Sequence, residues 1–280
     1  MSLRLTVIGA GTMGAGIAQV AAIHGFSTTL CDLSADQLST AMSSISSSVE
    51  KGIDRGKTPP EARDLVAQGL STETDLLKAC ADADVVLEAV PEDINLKTKI
   101  FGTVESVVSS HAIIASNTSS IPISKLASSL SAPERFIGMH FFNPVPIMKL
   151  LELVKHEKCS KETIELAQSV GQEMGKETIL VNDVPGFATS RLGVVLGNEA
   201  IKMLSQGVAS ASDIDTAMKL GYKHPMGPLE LSDLVGLDVR RDILNSLAES
   251  FDDESYRPHP LLNNLVWREG KAVPLLAQEN

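Results

Sequence analysis

The feature that most narrows the possible folds is a glycine turn held between two patterned segments. Gly9-Ala10-Gly11-Thr12-Met13-Gly14 follows the β-branched run RLTVI (4–8) and opens a helical pattern from Thr12 that stops near Gly25. A strand, a GxGxxG turn and a helix in that order form a cradle for a pyrophosphate. Gly9 permits the tight turn, Gly11 lets the backbone approach the ligand, and Gly14 lets helix and strand pack closely, while the N–H groups of the helix start face the phosphates. Gly9, Ala10, Gly11, Thr12, Met13 and Gly14 are therefore expected to bind a dinucleotide. Asp32 follows the next run, STTLC (27–31), where a carboxylate can accept the ribose hydroxyls of NAD and repel the extra phosphate of NADP. Its neighbours are Leu33 and Ser34 rather than an Arg, so NAD is the expected cofactor.

The pattern around this turn sets the fold class. Short β-branched runs continue at DVVLEA (84–89), AIIAS (112–116), RFIGMH (135–140), LLELV (150–154) and ETILV (177–181), alternating with helical spacing. That alternation predicts a parallel, Rossmann-type doubly wound α/β sheet over 1–183. An insertion over 34–75, with helical spacing at Leu38, Met42, Ile45 and Val49, exceeds an ordinary crossover. It is expected to be a helical arm standing off the sheet, either a ligand lid or a longer connection. After the segment NDVPG (182–186) the β-rich alternation ends, and helices are expected near 187–206, 211–220, 228–250 and 259–269. The expectation is an all-α C-terminal domain over 184–280 that supplies substrate and dimer contacts.

Charge and composition exclude several roles. A net charge of -11 opposes nucleic-acid binding, which draws its affinity from clustered Lys and Arg. A small anion such as coenzyme A remains compatible, because a few local cations can hold it. Cys31, Cys80 and Cys159 fall in no CxxC pattern, so neither a disulfide framework nor a zinc site is expected. No apolar run reaches the roughly 20 residues that span a bilayer. Leu3 to Ile8 reads as a strand rather than a targeting leader, and the default expectation is a cytoplasmic protein without membrane association.

Hydride chemistry with a nicotinamide also needs a protein group that exchanges a proton with an alcohol, a task that suits histidine. Of the six histidines, His24, His111, His156, His224 and His259 lie in helix ends or polar connections. His140 ends a strand at the carboxyl edge of the sheet, where doubly wound folds bind ligands. Position alone leaves it balanced between a catalytic and a core-satisfied histidine.

The segment GMHFFNPVPIMKLLELV (138–154) resembles the signature of the 3-hydroxyacyl-CoA dehydrogenase family, which includes 3-hydroxybutyryl-CoA dehydrogenases. The likeness extends through GAGTMGAGIAQVAA, VLEAVPEDINLKTKIF, IIASNTSSIPIS, VPGF and DIDTAMKLGYKHPMGPLELSDLVGLD. The resemblance implies NAD-dependent interconversion of L-3-hydroxyacyl-CoA and 3-ketoacyl-CoA by a homodimer, on short chains of fatty-acid and butanoate metabolism. It further implies His140 as general base, Glu152 as its carboxylate partner, and Ser119 as a hydrogen-bond donor to the substrate oxygen. Glu92, Lys97, Asn117 and Asn143 match positions that line the nicotinamide half of the cofactor site. Plainer readings stand beside these: a solvated helix face for Glu92 and Lys97, a helix cap for Ser119, a turn former in Asn143. Ser48 matches a coenzyme A contact, with Lys51, Arg55 and Lys57 as phosphate candidates or simply a solvated face. Two departures are visible. Ser190 stands where the family usually has a substrate-contacting Asn, and REGKAVPLLAQEN replaces a GxKTGxGFY-like ending. The alternatives are a dehydrogenase of a free hydroxy acid or sugar acid and a non-catalytic NAD-binding relative.

Overall fold

The computed structural model describes residues 3–266, and the chain divides after Asp183 into two compact units. In the first, β1 (Arg4–Ile8), α1 (Thr12–Ile23), β2 (Ser27–Cys31), α2 (Ala35–Asp54), α3 (Ala62–Gly69) and β3 (Leu70–Glu73) come first. They are followed by α4 (Leu76–Cys80), β4 (Val85–Glu88), α5 (Ile94–Glu105), β5 (Ile113–Ser116), α6 (Ile123–Ala127) and β6 (Phe136–Phe141). β7 (Leu150–Lys155), α7 (Lys161–Glu173) and β8 (Glu177–Asn182) complete it. The strands form one eight-stranded sheet in the order β3-β2-β1-β4-β5-β6-β7-β8. The order reverses beside β1, between β2 and β4, where such folds place their ligand.

The first helix can lie close to the sheet because it is built from small residues. Ala15, Ala18, Ala21 and Ala22 are buried with Ile17 and Val20 against Leu5, Val7 and Leu30. At Gly14 an added Cβ would stand 1.7 Å from the carbonyl oxygen of Gly9, so no other residue fits there.

Three expectations for this unit change. The sheet is not wholly parallel: β6 and β7 pair antiparallel, and β8 runs with β7. The insertion expected as a helical arm over 34–75 is helical only in α2 and α3, and it ends in β3, an edge strand parallel to β2. Nor does it stand clear of the core. Leu38, Ala41, Ile45, Val49, Ala62 and Val66 are buried in one cluster with the first helix, because an amphipathic stripe requires cover.

The second unit holds α8 (Thr189–Ser205), α9 (Ala211–Gly221), α10 (Pro228–Val235), α11 (Leu237–Phe251) and α12 (Pro260–Val266) around Val194, Ile201, Ile214, Leu229, Leu244 and Leu247. The single helix expected over 228–250 is broken at Gly236, whose φ of 104° is not helical. Buried Asp215 accepts the N–H groups of Leu229 and Glu230 and so caps α10. The divergent ending from residue 268 lies outside the described residues, as does the end of the helix expected to 269.

Candidate active site

The glycine turn leaves β1 and enters α1 with the geometry of an anion cradle. Gly9 has a φ of 100°, and a Cβ there would meet the carbonyl oxygen of Ala89 at 2.7 Å. A Cβ on Gly11 would meet nothing within 4 Å, so the backbone there borders open space. Gly11 starts the helix without a side-chain cap, leaving the first-turn N–H groups to a ligand. Asp32 braces this turn: its carboxylate accepts from Ala10 N at 2.9 Å and Ser34 N at 3.0 Å. These residues fit a dinucleotide by that open approach and the uncapped helix start.

At the same carboxyl edge, the antiparallel pairing of β6 and β7 sets His140 directly opposite Glu152. Their side chains meet at 2.7 Å, from Nδ1 to Oε2, with Glu152 fully buried and His140 nearly so. A carboxylate on Nδ1 holds that nitrogen protonated and leaves Nε2 as the proton-accepting atom. The Phe142 ring lies 4.5 Å from the imidazole, centroid to centroid. Asn117 Oδ1 accepts the N–H of Phe141 at 2.8 Å, fixing the chain just beyond His140.

The turn after β6 carries Asn143, which is exposed. It is held by a residue that sequence reading missed. The buried ammonium of Lys176 donates to the carbonyls of Val145 at 2.6 Å and Met148 at 2.8 Å, and burial pushes its pKa down. The side chain of Val145 lies against Gly16 of α1, so this turn touches the helix of the glycine motif.

A third group gathers at the ends of β4 and β5. Lys97, only 1% exposed, places Nζ 2.6 Å from Glu88 and 3.1 Å from Glu92. Ser116 donates to the other oxygen of Glu88 at 2.6 Å, while Glu92 accepts from the hydroxyls of Thr118 and Ser120. Burial pushes the Glu88 carboxyl above its ordinary range, against the pull of Lys97. Burial also raises Glu92, but Thr118, Lys97 and Ser120 outweigh it, and that carboxyl sits below the usual range. Ser119 is exposed between Thr118 and Ser120. On the far side Asp183 accepts from Ile123 N and Ser124 N, fixing the start of α6. Glu88 and Ser116 were hidden inside apolar strands; the available signal was an ionisable residue in a run otherwise fit for a core.

The remaining candidates lie on other elements. Ser48 is half-buried on α2, and Lys51, Arg55 and Lys57 are exposed around its end. Ser190 is the second residue of α8 in the other unit. Burial pushes the Cys31 and Cys159 thiols up to about 11 and that of Cys80 to about 12, which disfavours the nucleophilic thiolate. Among the described residues no group of His, Cys, Asp and Glu is arranged to hold a metal, and no helix is long and apolar enough to cross a membrane.

Residues 4–184 match the 3-hydroxyacyl-CoA dehydrogenase NAD-binding domain, and residues 186–271 match the C-terminal domain of that family. The chain is 42% identical to a 3-hydroxybutyryl-CoA dehydrogenase of Bradyrhizobium diazoefficiens, over 94% of this chain and 89% of the relative. It is likewise 42% identical to a mitochondrial hydroxyacyl-coenzyme A dehydrogenase of Rattus norvegicus, over 94% and 85%. The crystal structure of an (S)-3-hydroxybutyryl-CoA dehydrogenase from Ralstonia eutropha superposes with a TM-score of 0.91 at 38% identity, covering 95% of this chain and 94% of that one.

Proposed function

Since the chain belongs to the 3-hydroxyacyl-CoA dehydrogenase family, we propose that His140 and Glu152 carry the proton in its reaction and that its substrate is short, of the 3-hydroxybutyryl-CoA kind. The protein is an NAD-dependent dehydrogenase that interconverts L-3-hydroxyacyl-CoA and 3-ketoacyl-CoA. The observation that carries the residue assignment is the buried 2.7 Å contact between His140 Nδ1 and Glu152.

In the oxidation, His140 Nε2 takes the proton of the C3 hydroxyl as the carbonyl forms, and Glu152 stabilises the resulting imidazolium. NAD, when bound, would supply the acceptor for the hydride of C3. Ser119 donates a hydrogen bond to the substrate oxygen. Asp32 and the turn from Gly9 to Gly14 would hold the adenosine and pyrophosphate of the cofactor, and Asn117 and Asn143 would line its nicotinamide side. Lys97, with almost no exposed surface, contributes there by fixing Glu92 rather than by direct contact. Coenzyme A lies along α2 near Ser48, with Lys51, Arg55 and Lys57 beside its phosphates, and Ser190 faces substrate in place of the usual Asn.

The protein works in the cytoplasm as a homodimer through its helical unit. Support for a dimer comes from Leu192, Leu220, Tyr222 and Leu234, each at least 70% exposed on that unit. Light scattering at micromolar concentration should give twice the 29.8 kDa of one chain, and a single-chain mass would refute the dimer. The substrate assignment is tested by NADH consumption with acetoacetyl-CoA against free acetoacetate. Strong preference for the thioester is expected; equal or better turnover of the free acid would remove coenzyme A from the assignment.

A further inference from the structure

We propose that a closed ring of hydrogen bonds threaded by Lys97 positions Ser119 toward the substrate oxygen, with Glu88, Ser116 and Thr118 as positioning residues of the reaction. The ring can be followed atom by atom. Lys97 Nζ donates to Glu88 Oε1 at 2.6 Å, Ser116 Oγ donates to Glu88 Oε2 at 2.6 Å, and Thr118 N donates to Ser116 Oγ at 3.2 Å. The Thr118 hydroxyl donates to Glu92 Oε1, and Glu92 Oε2 returns to Lys97 Nζ at 3.1 Å. Glu92 also accepts from Ser120 N at 3.3 Å and Ser120 Oγ at 2.9 Å.

The consequence lies in the bend at 119–121 that follows β5, which the Thr118 hydroxyl closes by accepting from Ser120 N at 3.3 Å and Ile121 N at 2.9 Å. Glu92 holds Thr118 and Ser120 on either side of Ser119, so the ring fixes the bend whose exposed head is Ser119. Ser116 is fully buried and Thr118 is 1% exposed, and exposure begins at Ser119 and Ser120. Asn117 has anchors of its own, from its N–H to Glu88 O at 2.8 Å and from Oδ1 to Phe141 N. Ser119 has neighbours held on both sides by Glu92, and its placement depends on the ring. Every link of the ring but that from Thr118 N to Ser116 Oγ involves the ammonium or a carboxylate, so it holds its geometry more firmly than neutral hydroxyl contacts alone would.

The proposal rests on the reading of Ser119 as the donor to substrate oxygen, and a double-mutant cycle separates the two. Ser116→Ala, Thr118→Val and Ser119→Ala are made singly, and the first two are also each combined with Ser119→Ala. Turnover of acetoacetyl-CoA is normalised to active sites titrated by NADH fluorescence, so that loss of folded protein does not count. Ser116→Ala and Thr118→Val should each lower kcat about 10- to 100-fold, the scale of a small misplacement of a reacting group. Thr118→Ser, which keeps the hydroxyl, should restore most of the loss. In the Ser119→Ala background neither should cost more than about twofold, because residues acting through one another are non-additive. If the losses multiply in the double variants, or if neither variant alone lowers kcat, the ring does not act through Ser119. If Ser119→Ala itself leaves kcat and KM unchanged, the reading of Ser119 falls first and the proposal with it.

Discussion

Replacing Glu152 by Gln removes one charge from the dyad while keeping its shape. Oε2 of Glu152 stands 2.7 Å from His140 Nδ1, and the side chain is fully buried. With charge centres about 4 Å apart and an effective dielectric of about 20, the carboxylate and a full imidazolium attract by about 4 kcal/mol. With the proton half transferred, about 2 kcal/mol is realised, or about 30-fold in rate; a fully developed charge would give about 1,000-fold. Glu152→Gln should therefore lower kcat for oxidation of 3-hydroxybutyryl-CoA by between about 30- and 1,000-fold. Reorientation of the amide to donate toward Nδ1 would favour the wrong tautomer and push the loss toward the upper figure. Initial rates of NADH formation from pH 5.5 to 9, with NADH affinity by fluorescence, provide the assay. A variant within threefold of wild type, or one that loses NADH binding in proportion to turnover, would refute the electrostatic role.

Two further perturbations probe the cofactor end and the frame. Asp32→Ala removes the carboxylate that braces Ala10 and is placed to receive the ribose hydroxyls. KM for NAD should rise about 10- to 100-fold, the worth of hydrogen bonds to a charged acceptor, and the preference over NADP should narrow. An unchanged ratio of the two cofactors would reject the assignment. Glu105 accepts from Ser131 N and Ala132 N at 2.8 and 2.9 Å beside Arg135. Burial raises its carboxyl, but these partners outweigh it, and the group sits below its ordinary range. Because the folded value is the depressed one, the stabilisation is present above the unfolded pKa of about 4.3 and is lost as pH falls through the folded value. Melting of Glu105→Gln should start a few degrees below wild type at pH 7 and converge with it below about pH 4. A gap that persists in acid would mean that packing, not charge, is responsible.

The glycine turn, the order of β-branched runs and the break after residue 183 were visible because strand periodicity, glycine spacing and loss of alternation are local signals. Strand direction is not local, and a β-run reads alike in both senses. The clue lay in the connection: residues 142–149 are too few for the crossover that a parallel pair requires. That reversal creates the dyad, since pairing β6 with β7 in the opposite sense brings His140 to Glu152. The edge strand Leu70–Glu73 escaped notice because LSTE is short and polar at three of its four positions, and tertiary pairing overrides so weak a propensity. Glu88 and Ser116 escaped for the opposite reason. They close apolar strands, and only the arrival of Lys97 from α5 shows that Glu88 is a paired charge rather than a solvated strand end. Lys176, too, becomes legible only when the turn at 145–148 folds over it.

The most direct measurement is the pH dependence of 3-hydroxybutyryl-CoA oxidation by His140→Ala, with NADH affinity measured on the same preparation. NADH should bind as in wild type, because Asp32 and the glycine turn hold the far end of the cofactor. Turnover should fall about 10²- to 10⁴-fold, the usual worth of general acid–base catalysis, and the limb of the profile that rises with pH in wild type should vanish. A His140→Ala enzyme that keeps most of its turnover and the same rising limb would show that the proton leaves by another group.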